Sequence, residues 1–184
     1  MKTYKEAIEY IKEHKCLPDG FTQWELANSS GWTVAHEAAY HGNLPKGFNQ
    51  WGIMKKDRWG EGGTVAHVAA CCGNLPEGFS QWDLVYNRGW TVAHEAARWS
   101  CLPKGFTQWD LRKNNGWSVA HEAAHCNKLP NDFDQWYLKD NEGNTVFETM
   151  LSNGGLPKWF KDWDLVITDD GETCQEIYER IKKK

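Results

Sequence analysis

The chain contains no Cys-x-x-Cys pair, although six cysteines are spread over its 184 residues. That removes the usual zinc-ribbon and thioredoxin-type motifs, and reduced thiols of a cytosolic protein are the expected state. Cys16 and Cys101 share a repeat position three units apart, too far for a bridge within a stack. There is no Gly-x-x-x-x-Gly-Lys-Ser/Thr loop, no Gly-x-Gly-x-x-Gly turn and no Gly-x-Ser-x-Gly elbow. Phosphate cradles, dinucleotide folds and hydrolase nucleophiles of those types are therefore excluded. No apolar run approaches bilayer length, and the opening Met1-Lys2-Thr3-Tyr4-Lys5-Glu6 lacks the apolar stretch of a secretory leader. The chain is accordingly expected to be soluble, intracellular and cytoplasmic, in its own cell or within a host cell, with no membrane contact.

A large excess of one charge is also lacking, since 25 acids against 21 bases leave a formal net charge of −4. It is uneven: residues 129–173 hold ten acids and three bases, while residues 1–128 are near balance. The acidic stretch reads as a solvated face rather than a dock for a basic partner, and it disfavours nucleic acid.

What the chain has instead is repetition. Leu-Pro-x-x-Phe-x-x-Trp occurs six times, beginning at Leu17, Leu44, Leu75, Leu102, Leu129 and Leu156, with steps of 27 residues four times and 31 once. A fixed step of this size implies stacked units, each too small to bury its apolar face alone. The full unit reads Gly-Trp-Thr-Val-Ala-His-Glu-Ala-Ala, a break, then Leu-Pro-x-Gly-Phe-x-Gln-Trp-x-Leu and a polar turn. The alanine-rich part has high helix propensity, and Gly42 and Gly73 stand where a helix stop belongs. Proline then suits the first turn of a short second helix, with Leu44, Phe48 and Trp51 on one stripe at i, i+4 and i+7.

The expected fold is all-α: a solenoid of helix–loop–short-helix repeats with a capping helix at each end. Residues 4–15 and 173–184 supply the caps, through Tyr4, Ile8 and Ile11 and through Cys174, Ile177 and Ile181. The domain is expected to be one continuous array over 1–184. It comprises an N-terminal cap unit (1–30), repeats at 31–61, 62–88, 89–115, 116–142 and 143–170, and a C-terminal capping helix (171–184). The longer step comes from extra residues around Lys56-Asp57-Arg58-Trp59-Gly60, expected to bulge from the turn edge.

Gly-Trp-Thr-Val-Ala-His-Glu-Ala-Ala resembles the ankyrin repeat, with its Gly-x-Thr-Pro-Leu-His-x-Ala-Ala. The resemblance falls on Thr33 to Ala39, Thr64 to Ala70, Thr91 to Ala97 and Ser118 to Ala124, and Gly42-Asn43-Leu44 is similar to the family's Gly-His-Leu. The departures are a unit of 27 rather than 33 residues, valine for the proline, and a Pro-Gly-Phe-Gln-Trp phrase in place of a leucine-rich second helix. The resemblance implies a protein-binding scaffold whose first helices and turn tips form a concave surface.

His121-Glu122-Ala123-Ala124-His125 matches the His-Glu-x-x-His of zinc hydrolases, and Glu142 or Glu148 could be named as a third ligand. The repeat argues otherwise, because the second histidine's slot holds Tyr40, Cys71 and Arg98 elsewhere. Thr33, Thr64, Thr91 and Ser118 each stand three residues before a histidine, and Thr145 and Thr173 three before a glutamate, which is capping-box spacing. Cys71 beside His67 could form a nucleophile pair, but a small buried thiol is the plainer reading. No catalytic residue, metal or cofactor is assigned, and the chain is expected not to be an enzyme.

The partner is expected to be another protein. Trp24, Trp51, Trp82, Trp109, Trp136 and Trp163 fill one slot in every unit and read as core. Trp32, Trp90 and Trp117 share a slot that holds Gly63, Asn144 and Glu172 elsewhere, so stacking over the turns and a recognition stripe both stay open. Trp99 is a local choice where other units have His41, Cys72, Cys126 and Ser152, and Arg98 stands beside it. Trp and Arg dominate binding hot spots. Trp99 and Arg98, with Tyr40, His125, Tyr86, Arg88 and Arg112, are the expected partner-facing set. A stack of this size can present a patch of roughly 800 Å². The alternative is a carbohydrate or nucleic-acid binder stacking ligands on surface tryptophans, and the remoter one is the zinc hydrolase.

Overall fold

A computed structural model describes residues 1–55 and 62–183, so the expected bulge at Lys56 to Gly60 lies outside the described residues. Helices are the principal regular structure, and they recur with the sequence repeat. The chain divides into two compact units, Met1–Cys101 and Leu102–Lys184. The first holds α1 (Tyr4–His14), α2 (Val34–Tyr40), α3 (Val65–Cys71), the two-residue strands β1 (Val85–Tyr86) and β2 (Trp90–Thr91), and α4 (Val92–Trp99). In it α1 packs on α2, α2 on α3 and α3 on α4. The second holds α5 (Val119–His125), α6 (Val146–Ser152) and α7 (Cys174–Lys182), again packed in sequence order.

Among the described residues each repeat carries one α-helix, not two. The short second helix expected over Leu44–Trp51 and its equivalents is replaced by two tight turns. Phe48 N–H donates to Pro45 O at 3.0 Å, and Ile53 N–H to Gln50 O at 3.2 Å. In four of the six phrases a glycine with left-handed φ, such as Gly47 at +87°, occupies the third turn position, a value that a type II turn requires and a right-handed helix cannot contain. In the other two Asp132 and Trp159 stand there, and the proline carbonyl still closes the turn onto Phe133 and Phe160 at 3.1 and 2.9 Å.

The phrase after those turns builds the start of the next helix. Trp51 O accepts from Ala66 N and Ile53 O from Val65 N, at 3.1 and 2.9 Å. The same pair of bonds runs from Trp24 and Leu26 to α2, from Trp82 and Leu84 to α4, and from Trp109 and Leu111 to α5. Trp136 and Leu138 serve α6, and Trp163 and Leu165 serve α7. A helix begins with four amide donors that lack intrahelical partners. The preceding phrase satisfies two, and the N-cap hydroxyl satisfies a third: Thr64 Oγ1 accepts from His67 N–H at 3.4 Å. These helices of seven to nine residues are too short to persist alone, so the supplied acceptors and the packing hold them. Thr64→Ala should therefore cost about 1–2 kcal/mol, read as a lower urea midpoint with unchanged slope.

The phenylalanine and tryptophan that recur in every repeat form an alternating ladder through each unit, beside the buried valine and alanine faces of the helices. In the first unit Phe21, Trp24, Phe48, Trp51, Phe79 and Trp82 follow one another at centroid distances of 5.0 to 5.3 Å, nearly edge to face. In the second, Phe106, Trp109, Phe133, Trp136, Phe160, Trp163 and Tyr178 do the same at 4.9 to 5.3 Å. Edge-to-face is the arrangement that aromatic quadrupoles favour. Five of the six ladder tryptophans are buried, and Trp163, against the terminal helix, is half-buried. Ala7, Ile8 and Ile11 are the buried face of α1, and Cys174 and Ile177 that of α7. Ile181, expected on the same face, is partly exposed beside α7's end.

Candidate functional site

The repeated histidine is an internal tie. Thr64 Oγ1 lies 2.8 Å from His67 Nδ1, and His67 Nε2 lies 3.2 Å from Trp90 O in the next repeat. A carbonyl can only accept, so Nε2 carries the proton, and Nδ1 accepts from the threonine hydroxyl. His36 makes the same link from Thr33 to Gly63 O, and His121 from Ser118 to Asn144 O. Burial holds all three imidazoles below their ordinary pKa, His67 down to about 4, so they are neutral at physiological pH. Glu148 takes the slot in α6; its carboxylate receives Thr145 N–H and reaches Arg180 of α7 at 3.6 Å.

These commitments bear on the two catalytic alternatives. Both nitrogens of His121 are engaged, while His125 is exposed one turn later with its ring 6.1 Å from Trp117. No group of three His, Cys, Asp or Glu side chains positioned to hold a metal occurs among the described residues. Cys71 cannot pair with His67 as nucleophile and base, because neither nitrogen of that ring is open. Its thiol, contrary to the buried thiol expected, is exposed, yet desolvation, Glu95 and Cys72 push its pKa up to about 11.

Trp32, Trp90 and Trp117 lie half-buried over His36, His94 and His121, at ring distances of 5.2, 5.6 and 5.3 Å. Each indole N–H donates to the glutamate five residues on: Trp32 to Glu37 at 2.9 Å, Trp90 to Glu95 at 2.8 Å, Trp117 to Glu122 at 3.1 Å. Sequence reasoning missed these glutamates, although the signal was present. Where glycine or asparagine replaces the tryptophan, at Gly63 and Asn144, the glutamate is also replaced, by Val68 and Thr149. In the second repeat Tyr86 packs edge-on against His67 at 4.5 Å.

The second oxygen of Glu95 gives the first unit its most distinctive surface feature. It accepts from Trp99 Nε1 at 2.9 Å, so one carboxylate holds two indoles. The Arg98 guanidinium lies 4.4 Å above the Trp90 ring, a cation–π distance. Trp99 remains 54% exposed at the end of α4. Trp90, Arg98 and Trp99 are thus brought together, and Tyr86 faces Trp90 across the β1–β2 pairing. Arg88 is exposed at the tip of that hairpin, with φ of +57°. Tyr40 is exposed at the end of α2, two repeats from α4 and edge-on to His41.

In the second unit Trp117 sits with His125 and Lys113, whose Nζ lies 3.4 Å from Glu122. Arg112 is directed along the backbone instead, donating to Gly116 O at 2.8 Å and to Lys139 O one repeat on. Its guanidinium ties one turn to the next. No described helix is long and apolar enough to cross a membrane. No protein-family model matches the chain, and a search of curated proteins finds no significant match.

Proposed function

We propose that the chain is a non-enzymatic, ankyrin-like scaffold that binds another protein through the exposed ends of its helices and hairpin turns. The observation that carries this reading is Trp99. A large indole stands in solvent at a slot the other repeats fill with smaller or polar residues, and Glu95 holds it in place. Pre-ordering the side chain removes entropy that a partner would otherwise have to overcome on binding. Arg98 is its chain neighbour, and Tyr86 and Arg88 on the β1–β2 hairpin add further residues of the types that anchor interfaces. The ankyrin likeness rests on the first-helix motif and on the turn before it, since the repeat has no second helix. Binding would inhibit, tether or present the partner.

The test is affinity capture from the native cell with wild-type and Trp99→Ala baits, compared by quantitative mass spectrometry. A specific partner should be retained by the first and weakened about thirtyfold or more by the second, the roughly 2 kcal/mol of a hot spot. Equal capture by both, with both folded, would remove Trp99 from the interface.

A further inference from the structure

Five of the six repeats place glutamine immediately before the ladder tryptophan: Gln23, Gln50, Gln81, Gln108 and Gln135. The fold gives no reason for this identity. The carbonyl of that residue closes a turn, as in Leu84 N–H to Gln81 O at 3.3 Å, which any residue type can do. Asp, Asn and Ser, not Gln, are the usual first residues of such turns. Gln50 and Gln81 are exposed, and their side-chain amides make no hydrogen bond among the described residues.

The sixth copy shows what the slot can reach. Asp162 stands there, and its carboxylate accepts from the indole N–H of Trp136, one repeat earlier, at 3.2 Å. In the Met1–Cys101 unit the equivalent pairs are Trp24 with Gln50 and Trp51 with Gln81, and neither pair is bonded. Trp51 is only 6% exposed, yet among the described residues no fully buried side-chain nitrogen lacks a partner, so its unpaired N–H opens to the surface. Trp51 and Gln81 line one groove of about 760 Å³, whose walls carry Phe48, Phe79, Pro45 and Pro76.

We propose that this groove binds a polypeptide segment in the polyproline II conformation. Its carbonyls would accept from the Trp51 indole and the Gln81 amide, and one turn away from Trp24 and Gln50. Such a chain has no internal hydrogen bonds, so all its carbonyls are available, and it repeats every three residues, about 9.3 Å. Trp24 and Trp51 each lie 5.0 Å from Phe48, so their rings are at most about 10 Å apart, a span that one turn of such a ligand can bridge. Aromatic-lined grooves suit proline rings. A nucleic acid fits less well. Lys46 and Glu77 both line the groove and offset each other, so it offers no rail for phosphates. This surface is separate from the Trp99 edge, and neither reading requires the other.

The probe is labelled decaproline, against a Gly-Ser peptide of equal length, with anisotropy for affinity and the indole N–H resonances of the full chain for location. Decaproline should shift the Trp24 and Trp51 resonances, and the Gly-Ser peptide should not. Gln50→Asp with Gln81→Asp copies the bond that Asp162 makes to Trp136. That variant should keep its circular dichroism and melting temperature while binding at least tenfold more weakly. Trp99→Ala should bind decaproline as the wild type does, so failure here and failure of the helix-edge reading are distinguishable. The proposal is overturned by an unshifted Trp51 indole at millimolar decaproline, by equal shifts from the Gly-Ser peptide, or by full binding in the folded double variant. A Trp51 shift produced by oligonucleotide or oligosaccharide but not by decaproline would overturn it too.

Discussion

Trp136→Ala is expected to unfold the Leu102–Lys184 unit under conditions where the wild type is intact. The ring is 0% exposed and meets Phe133, Phe160 and Trp159 at 5.1, 5.0 and 5.9 Å. Its N–H holds Asp162, and its carbonyl receives Phe147 N–H at the start of α6. Truncating a buried aromatic costs about 3–5 kcal/mol, against a total of about 5–15 kcal/mol for a typical domain. The alanine also leaves Asp162 without its donor. The same change at half-buried Trp163 should cost clearly less. Urea unfolding followed by near-ultraviolet circular dichroism reads both, and a loss below about 1 kcal/mol at Trp136 would contradict the ladder as the core.

Acid should loosen the repeats before it protonates most carboxylates. His67 titrates near 6.5 when unfolded but only near 4 when folded, because burial opposes its charge. Below pH 6.5 the unfolded chain therefore takes up the proton first. The stabilisation is complete above that pH and is lost as pH falls toward 4. For His67 the difference between those two values is worth about 3 kcal/mol, and His36 and His121 act in the same direction. Capping-box Glu176, lowered by Thr173 N–H, stabilises the fold above its ordinary 4.5 and loses that contribution only as pH falls below it. The urea midpoint should thus decline between pH 6.5 and 4, and His67→Gln should flatten that decline. A midpoint flat down to pH 4.5 in the wild type would contradict the neutral histidine ties.

Much of this was legible in the sequence. Slots filled alike in every repeat turned out to carry the aromatic ladder, and the Thr-x-x-His spacing marked the caps. Leu44, Phe48 and Trp51 have helical spacing, yet the phrase turns twice and sets the same residues in a ladder, with a left-handed glycine in four copies and with Asp132 and Trp159 in the other two. Pattern alone cannot separate those outcomes when both bury the same side chains. The Trp–Glu pairs at i and i+5 were visible as joint substitution, but i+5 is not a helix-face spacing, so no helical rule draws attention to it. The engagement of Arg112 with carbonyls of its own and the next repeat depends on three-dimensional stacking, which spacing does not encode.

The most direct measurement of the binding reading is amide hydrogen exchange on the chain with its captured protein partner. Protection should concentrate at the hairpin and the end of α4, residues 86–100, with a weaker effect near Tyr40. Protection confined to the Leu-Pro turns, with exchange around Trp99 unchanged, would contradict it.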